Sequence, residues 1–118
     1  MNIEYIRAYC ISFPGVTEEI QWENHLLFKI GGKIFVLCGS DSESQMSLKA
    51  SPEKFDELVE IEGVIPAPYL ARNKWIAIQN RNGLKTAELK SLIKESYELV
   101  FGKLPKKIKN KINTSVIK

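Results

Sequence analysis

The sequence has 118 residues, a length typical of one domain, and its 44% hydrophobic and 26% charged content is that of an ordinary globular protein. No apolar run approaches the roughly 20 residues that span a bilayer, and residues 1–4 lack the features of a signal peptide, so we expect a cytoplasmic protein without a membrane partner. Residues 103–118 carry six lysines and no acid, so the net charge of +3 comes from this segment and the rest of the chain has a net charge of −3.

A helix is predicted first, from an apolar stripe at helical spacing: Ile3, Ile6, Cys10 and Phe13. Pro14-Gly15 ends this helix. The chain has two cysteines, Cys10 and Cys38, and Cys10 falls on the stripe. Because only one His accompanies them, four Cys or His ligands for zinc are not available. We predict that both cysteines are small buried hydrophobic residues without a disulfide, and we expect no metal and no cofactor.

Three strands follow, over residues 18–22, 26–30 and 33–38, and the last two flank Gly31-Gly32. Two glycines between apolar runs predict a hairpin, because a type I′ turn needs positive φ at both positions. The two-residue loop predicts the pairs Ile30 with Lys33, Phe28 with Phe35, and Leu26 with Leu37. This register places His25 opposite Cys38.

A fourth strand at residues 46–50 leads to a helix that opens with Ser51-Pro52, an N-cap followed by a proline at the first helical position. Residues 74–79 are predicted as a strand. The last helix is the clearest, and we predict that Thr86 caps it and that Gly102 ends it.

The predicted order of elements is α-β-β-β-β-α-β-α. This order indicates an α+β fold, with helices packed on one face of an antiparallel sheet. We assign residues 1–102 to a single domain and residues 103–118 to a Lys-rich C-terminal tail. The pattern leaves open whether the tail is a short basic helix or disordered. We expect the protein to be a monomer.

A nucleophile paired with a base is the first chemistry to consider, and His25 is the only imidazole available. A Cys–His pair needs an exposed thiol in an electropositive setting. Cys38 ends a run of apolar strand residues, so we interpret it as a core thiol and expect no enzymatic activity. A hydrolase that uses His25 and Cys38 is the third-ranked hypothesis, and it predicts a thiol that is alkylated quickly.

A basic and aromatic segment, Arg72-Asn73-Lys74-Trp75, is the strongest functional pattern. Arg and Lys contact phosphates, Asn can read a base edge and Trp can stack on a base. Alternatively, Trp75 anchors the core and the cations are solvated. Lysines on neighbouring strands would extend a basic stripe if exposed, namely Lys29, Lys33 and Lys49. The tail would add phosphate contacts through Lys103, Lys106, Lys107, Lys109 and Lys111.

Segments in a fixed order along the chain resemble the MmcQ/YjbR family of small bacterial proteins. These segments are Phe13-Pro14-Gly15, Phe28–Phe35, Ser47-Leu48-Lys49 before Pro52, Pro68-Tyr69-Leu70 before Lys74-Trp75, Leu92-Ile93 before Ser96–Val100, and Leu104-Pro105. The resemblance implies a frataxin (CyaY)-like fold, also described as a double wing, with DNA binding by analogy of fold and no enzymatic activity. Many members carry a His just before the Trp; residues 71–74 contain none, so a role that needs an imidazole there is not implied.

The leading hypothesis is therefore a non-catalytic protein that binds DNA through its sheet, residues 72–75 and the tail. The alternative is a protein–protein or small-molecule binding module, in which Trp22, Tyr69 and Trp75 line a groove. Convergence of the lysines on one face favours nucleic acid, whereas acids interleaved among them favour a protein partner.

Overall fold

Four helices and six strands make up the part of the chain that the computed structural model describes, residues 3–21, 25–39, 45–67, 73–79 and 84–116. The helices are α1 (Ile3–Ile11), α2 (Pro52–Leu58), α3 (Thr86–Gly102) and α4 (Lys106–Val116). The strands are β1 (Val16–Gln21), β2 (His25–Ile30), β3 (Lys33–Gly39), β4 (Met46–Lys49), β5 (Val64–Pro66) and β6 (Trp75–Ile78). None of these helices is long and apolar enough to cross a membrane.

The six strands form one antiparallel sheet in the order β1-β2-β3-β4-β6-β5. The described helices pack on one face of it, over a main core that includes Phe28, Phe35, Leu48, Ile76 and Ile93. The other face carries a smaller second cluster, formed by Ala67, Trp75 and Ala77 with Ile34 and Ile65 packed against them. These observations confirm the predicted α+β class and the antiparallel sheet.

The structure contains a short strand, β5, that the predicted order of elements lacks. This strand has three residues and ends at Pro66, which cannot donate a hydrogen bond to a neighbouring strand. An edge position suits such a strand, and three residues are too few for alternation to reveal it. The start of α3 also differs, because Lys85 is its N-cap and Thr86 is its first residue.

The hairpin of β2 and β3 departs from the predicted register beyond Lys29. The observed pairs are Phe28 with Val36, Leu27 with Leu37, Leu26 with Cys38 and His25 with Gly39, whereas the prediction paired Phe28 with Phe35, Leu26 with Leu37 and His25 with Cys38. A β-bulge causes the shift, since Phe35 is an extra residue on β3. Phe35 and Val36 are both fully buried in the main core, which strict alternation between the two faces would not allow.

The turn of this hairpin is as predicted, and it also receives the C-terminal segment. Gly31 and Gly32 have φ of 59° and 81°, the sign that a type I′ turn requires. A Cβ on Gly31 would lie 2.7 Å from Leu104 Cδ1 and 3.2 Å from Ile108 Cγ2, whereas a Cβ on Gly32 would meet nothing within 4 Å. The two glycines therefore share a backbone requirement, and only Gly31 has a packing requirement as well.

The Lys-rich segment takes the helical one of its two predicted states, as α4. Leu104 and Ile112 are buried in the main core, and Ile108 packs against it. Ile112 also lies close to Gly15, where an added Cβ would meet its Cγ1 at 3.1 Å. Residues 104–112 therefore contribute to the same core as the rest of the described chain.

Candidate functional site

A pocket of about 250 Å³ lies at one end of the sheet, between three strands and the C-terminal end of α3. Because the strands are antiparallel, β3 begins, β4 ends and β6 begins at the same end. We call it the sheet-end pocket. Its described lining consists of the lysines Lys33, Lys49 and Lys103 and the apolar residues Ile34, Trp75, Val100 and Leu104.

Lys49 is held in place by hydrogen bonds of the backbone around it. Its own backbone N–H donates to Ser96 Oγ at 3.0 Å, and the Ser96 hydroxyl donates to the Phe35 carbonyl at 2.6 Å. The next residue, Ala50, donates its N–H to the Lys74 carbonyl at 2.9 Å. The fully buried Ser96 thus connects β3, β4 and α3, and it fixes the backbone from which the Lys49 side chain extends.

The charge in the pocket is all of one sign. None of the described lining residues is acidic, and among the described residues no carboxylate forms an ion pair with Lys33, Lys49 or Lys103. Burial lowers the pKa of Lys49 from its ordinary value, and the neighbouring Lys103 ammonium lowers it further. The free protein therefore holds like charges close together in a partly desolvated place.

The end of α3 accounts for only part of this arrangement. The carbonyls of its last turn carry a partial negative charge that favours a nearby cation, and Lys103 is the C-cap residue. The Val100 and Phe101 carbonyls already accept hydrogen bonds from the Lys103 and Leu104 backbone N–H groups. Lys33 and Lys49 belong to strands, so the helix dipole does not explain their presence in the pocket.

Trp75 forms a wall of the pocket and also anchors the second cluster. The side chain is 9% exposed and packs with Ala67 and Ala77. Its backbone carbonyl accepts a hydrogen bond from the Ala67 N–H at 3.0 Å, which ties β6 to the end of β5. This low exposure agrees with the interpretation of Trp75 as a core anchor. A base has little indole surface to stack on, whereas the lysines remain available to phosphate groups.

The other residues predicted from the basic and aromatic segment do not line the pocket. Lys74 has a φ of 64°, and its Nζ lies 5.0 Å from the ring centroid of Phe55 on α2. Asn73 is exposed, and Arg72 lies outside the described residues. Of the predicted segment 72–75, the described lining therefore includes Trp75 alone.

Lys29 is a predicted site residue that the structure places in an ion pair. Its Nζ lies 3.1 Å from Glu19 Oε2 on the neighbouring strand β1. A lysine whose charge is already paired is less available to a ligand than an unpaired one. Lys33, Lys49 and Lys103 are therefore the predicted lysines that come together, and Lys29 is separate from them.

The remaining tail lysines lie on α4. Lys106, Lys107 and Lys111 are exposed, and Lys109 is half-buried. Because Leu104, Ile108 and Ile112 hold α4 against the domain, these charges have fixed positions close to the chain that forms the pocket. Sequence reasoning placed Lys103 with this tail and missed its position beside Lys49, although the spacing of those three apolar residues signals a docked segment.

The proposed Cys–His pair loses its geometric basis. His25 pairs with Gly39, and Cys38 pairs with Leu26, so the side chains of His25 and Cys38 point to opposite faces of the sheet. Cys38 and Cys10 are fully buried, and burial raises the pKa of the Cys10 thiol far above its ordinary value. Within the described part of the chain, no group of three or more His, Cys, Asp or Glu side chains could hold a metal ion.

The groove predicted from aromatic residues involves Trp22, Tyr69 and Trp75. Trp22 and Tyr69 lie outside the described residues, and only Trp75 of that set is described. The Trp75 indole faces the second cluster and the sheet-end pocket. The described geometry thus relates to the predicted groove only through Trp75.

Comparisons with known proteins agree with this fold. The crystal structure of a Deinococcus radiodurans protein with a DUF419 domain matches 95% of this chain and 88% of its own, with 22% identity and a TM-score of 0.84. That of a Pseudomonas syringae protein matches 84% of this chain and 98% of its own, with 23% identity and a TM-score of 0.69. No curated protein matches the sequence. The family model named YjbR matches residues 11–99, so the chain belongs to the YjbR family.

Proposed function

We propose that this protein is a non-catalytic nucleic-acid-binding protein that holds phosphate groups in the sheet-end pocket, acting as a monomer in the cytoplasm. The observation that carries the proposal is the convergence of Lys33, Lys49 and Lys103 with no acidic side chain in the described lining. DNA is the ligand that the family resemblance implies, through the analogy to frataxin-like, double-wing folds. That analogy concerns the fold, and the lysines of the pocket supply the physical support for this function.

The physical basis of binding would be neutralisation of phosphates. A protein that neutralises phosphates with lysines releases condensed counterions, and this release supplies most of the affinity of sequence-independent binding. The exposed lysines of α4 add charge of the same sign near the pocket. Because Trp75 is almost fully buried, the proposal assigns affinity to phosphate contacts and gives base stacking a minor part.

Salt-dependent binding tests this proposal directly. Anisotropy of labelled single-stranded and duplex oligonucleotides, measured over about 50–200 mM salt, should show affinity falling steeply with salt. Replacing Lys33, Lys49 and Lys103 together by Gln should weaken binding and reduce the slope of log K against log salt by about 0.9 per lost duplex contact.

A matched control uses lysines that already have partners. Lys29→Gln and Lys54→Gln remove charges paired with Glu19 and Glu95, so they should change the slope much less than the pocket substitutions. Failure of the wild-type protein to bind either oligonucleotide at micromolar concentration and low salt would contradict the proposal.

Small-molecule binding is a second candidate, favoured by the concave shape of the site. A pocket of about 250 Å³ with three lysines and four apolar residues suits a small anion attached to a compact group. The two candidates differ in their dependence on ligand length. Affinity for nucleic acid should rise with oligonucleotide length, because α4 adds contacts, whereas affinity for a small ligand should not.

A further inference from the structure

We infer that the sheet-end pocket is specific for a phosphate monoester, the terminal phosphate of a strand or of a nucleotide, and that it discriminates against the internal phosphodiester. The inference rests on the proposed function in treating Lys33, Lys49 and Lys103 as phosphate ligands, and it names the kind of phosphate that they select. Four observations support it, concerning volume, charge, donors and walls.

The size of the pocket suits a small group. The pocket measures about 250 Å³ and is partly open to solvent. That space accommodates a phosphate group with part of an attached sugar. A strand passing through would need space for a nucleotide on both sides of the phosphate. The pocket lies between the strand ends and the end of α3, and this position suits a group that enters by its end.

The charge of the pocket fits a dianion better than a monoanion. A phosphate monoester carries a charge of about −1.5 to −2 near neutral pH, whereas a phosphodiester carries one negative charge. Three lysines without a described acidic neighbour leave an excess of positive charge in the pocket. A dianion offsets more of this charge, and it relieves the repulsion between Lys49 and Lys103 that accompanies the lowered pKa of Lys49.

The hydrogen-bond donors and the apolar walls of the pocket also favour a monoester over a diester. Each lysine ammonium has three N–H donors, and a monoester offers three unesterified oxygens where a diester offers two. Ile34, Trp75, Val100 and Leu104 supply apolar walls around the ammonium groups. Charges attract more strongly beside such walls than in open water, so one additional negative charge has a larger effect here than on an exposed surface.

The test compares oligonucleotides that differ only at one end. Single strands of the same sequence carrying a 5′-phosphate, a 3′-phosphate or hydroxyl groups at both ends are titrated in a phosphate-free buffer. At least one phosphorylated end should bind about tenfold or more tightly than the hydroxyl strand, a difference of about 1.4 kcal/mol. Lys49→Gln should abolish this preference, and the matched control Lys29→Gln should retain it.

A second arm identifies the source of the phosphate. Inorganic phosphate and a nucleoside monophosphate are titrated by calorimetry against the wild-type protein, Lys49→Gln and Lys33→Gln, each checked for a cooperative thermal transition. Binding that both lysine substitutions weaken supports a monoester pocket, even if no oligonucleotide binds; in that case the nucleic-acid proposal fails and this inference stands.

Two outcomes overturn the inference. If phosphorylated and hydroxyl strands bind equally and the lysine substitutions weaken both, the pocket contacts internal phosphates, so the nucleic-acid proposal stands without the inference. If no phosphate compound binds, the inference and the proposed function are both wrong. Lys33→Gln provides the same comparison should Lys49→Gln fail to fold.

Discussion

Two neighbouring regions meet at Leu104, and they are built in opposite ways. On one side, Leu104 and Ile108 lie so close to Gly31 that the turn has no space for a Cβ. On the other, Leu104 lines a pocket where three lysines gather without a described acidic neighbour. The first region stabilises the fold, and the second destabilises the free protein. Arrangements that reduce stability are expected at sites shaped by function, so the contrast itself points to the pocket.

The largest expected effect concerns the packed region. Gly31→Ala should lower the free energy of unfolding by about 2–5 kcal/mol, combining about 1–2 kcal/mol for a Cβ at positive φ with about 1–3 kcal/mol for overpacking. Gly32→Ala is the matched control, because its φ is also positive and its Cβ would meet nothing within 4 Å. It should cost only the backbone part, as urea denaturation would measure.

The contribution of Leu104 can be separated further. A double-mutant cycle of Gly31→Ala with Leu104→Ala should give a combined loss smaller than the sum of the single losses, because the truncated side chain leaves space for the new Cβ. Equal losses for Gly31→Ala and Gly32→Ala, or strict additivity in the cycle, would show that Leu104 does not press on this turn.

An intermediate effect is expected at the hydrogen bonds that hold Lys49. Ser96→Ala should cost about 1–3 kcal/mol, since it leaves the Lys49 N–H and the Phe35 carbonyl without their shared partner in a buried place. Hydrogen exchange of the Lys49 amide should become faster. Ser91→Ala lies on the same helix at an exposed position and should change stability by less than about 0.5 kcal/mol. Similar small losses for the two variants would show that Ser96 does not support the backbone at Lys49.

The smallest expected effect is informative through its sign. Lys49→Met should stabilise the free protein near neutral pH by about 0.2–1 kcal/mol, because it removes a partly buried charge beside Lys103. Lys29→Met should have the opposite sign and a similar size, because it breaks the ion pair with Glu19. Thermal unfolding of both variants beside the wild type measures this difference in sign.

The pH dependence of the Lys49 effect follows from its lowered pKa. Below the folded-state pKa, Lys49 is protonated in both states and the destabilisation is complete. As pH rises through that pKa towards the unfolded value of about 10.5, the folded state loses its proton first and this destabilisation disappears. The advantage of Lys49→Met over the wild type should therefore shrink with rising pH. An advantage that stays constant or grows would contradict a lowered pKa of Lys49 in the folded protein.

The sequence predicts the elements well where one local pattern decides them. The paired glycines predict the β2–β3 turn, and the apolar stripes predict α1 and α3. The register fails beyond Lys29, because the bulge depends on how Phe35 packs: its ring lies edge-on to Tyr97 at 5.5 Å and to Phe13 at 6.5 Å. Contacts between residues so far apart in the chain cannot be recognised from the alternation of apolar and polar residues along one strand.

The sequence names several residues of the sheet-end pocket individually but does not indicate that they lie together. Lys33, Lys49 and Trp75 were candidates, yet the pocket exists only because β4 lies between β3 and β6 and because α3 ends beside them. The residue pattern within one strand does not indicate the order of the strands in the sheet. Lys29 shows the converse, since no pattern indicates that Glu19 neutralises it.

Ser96 has a consequence for which substitutions the fold can accept. Its hydroxyl has a single hydrogen, which is donated to the Phe35 carbonyl, while its oxygen accepts from the Lys49 N–H. Alanine provides neither function, threonine adds a methyl group to a fully buried place, and asparagine is longer. A survey of all twenty amino acids at this position should therefore rank serine first, with every replacement lowering the free energy of unfolding, a sensitivity usually associated with catalytic residues and produced here by geometry.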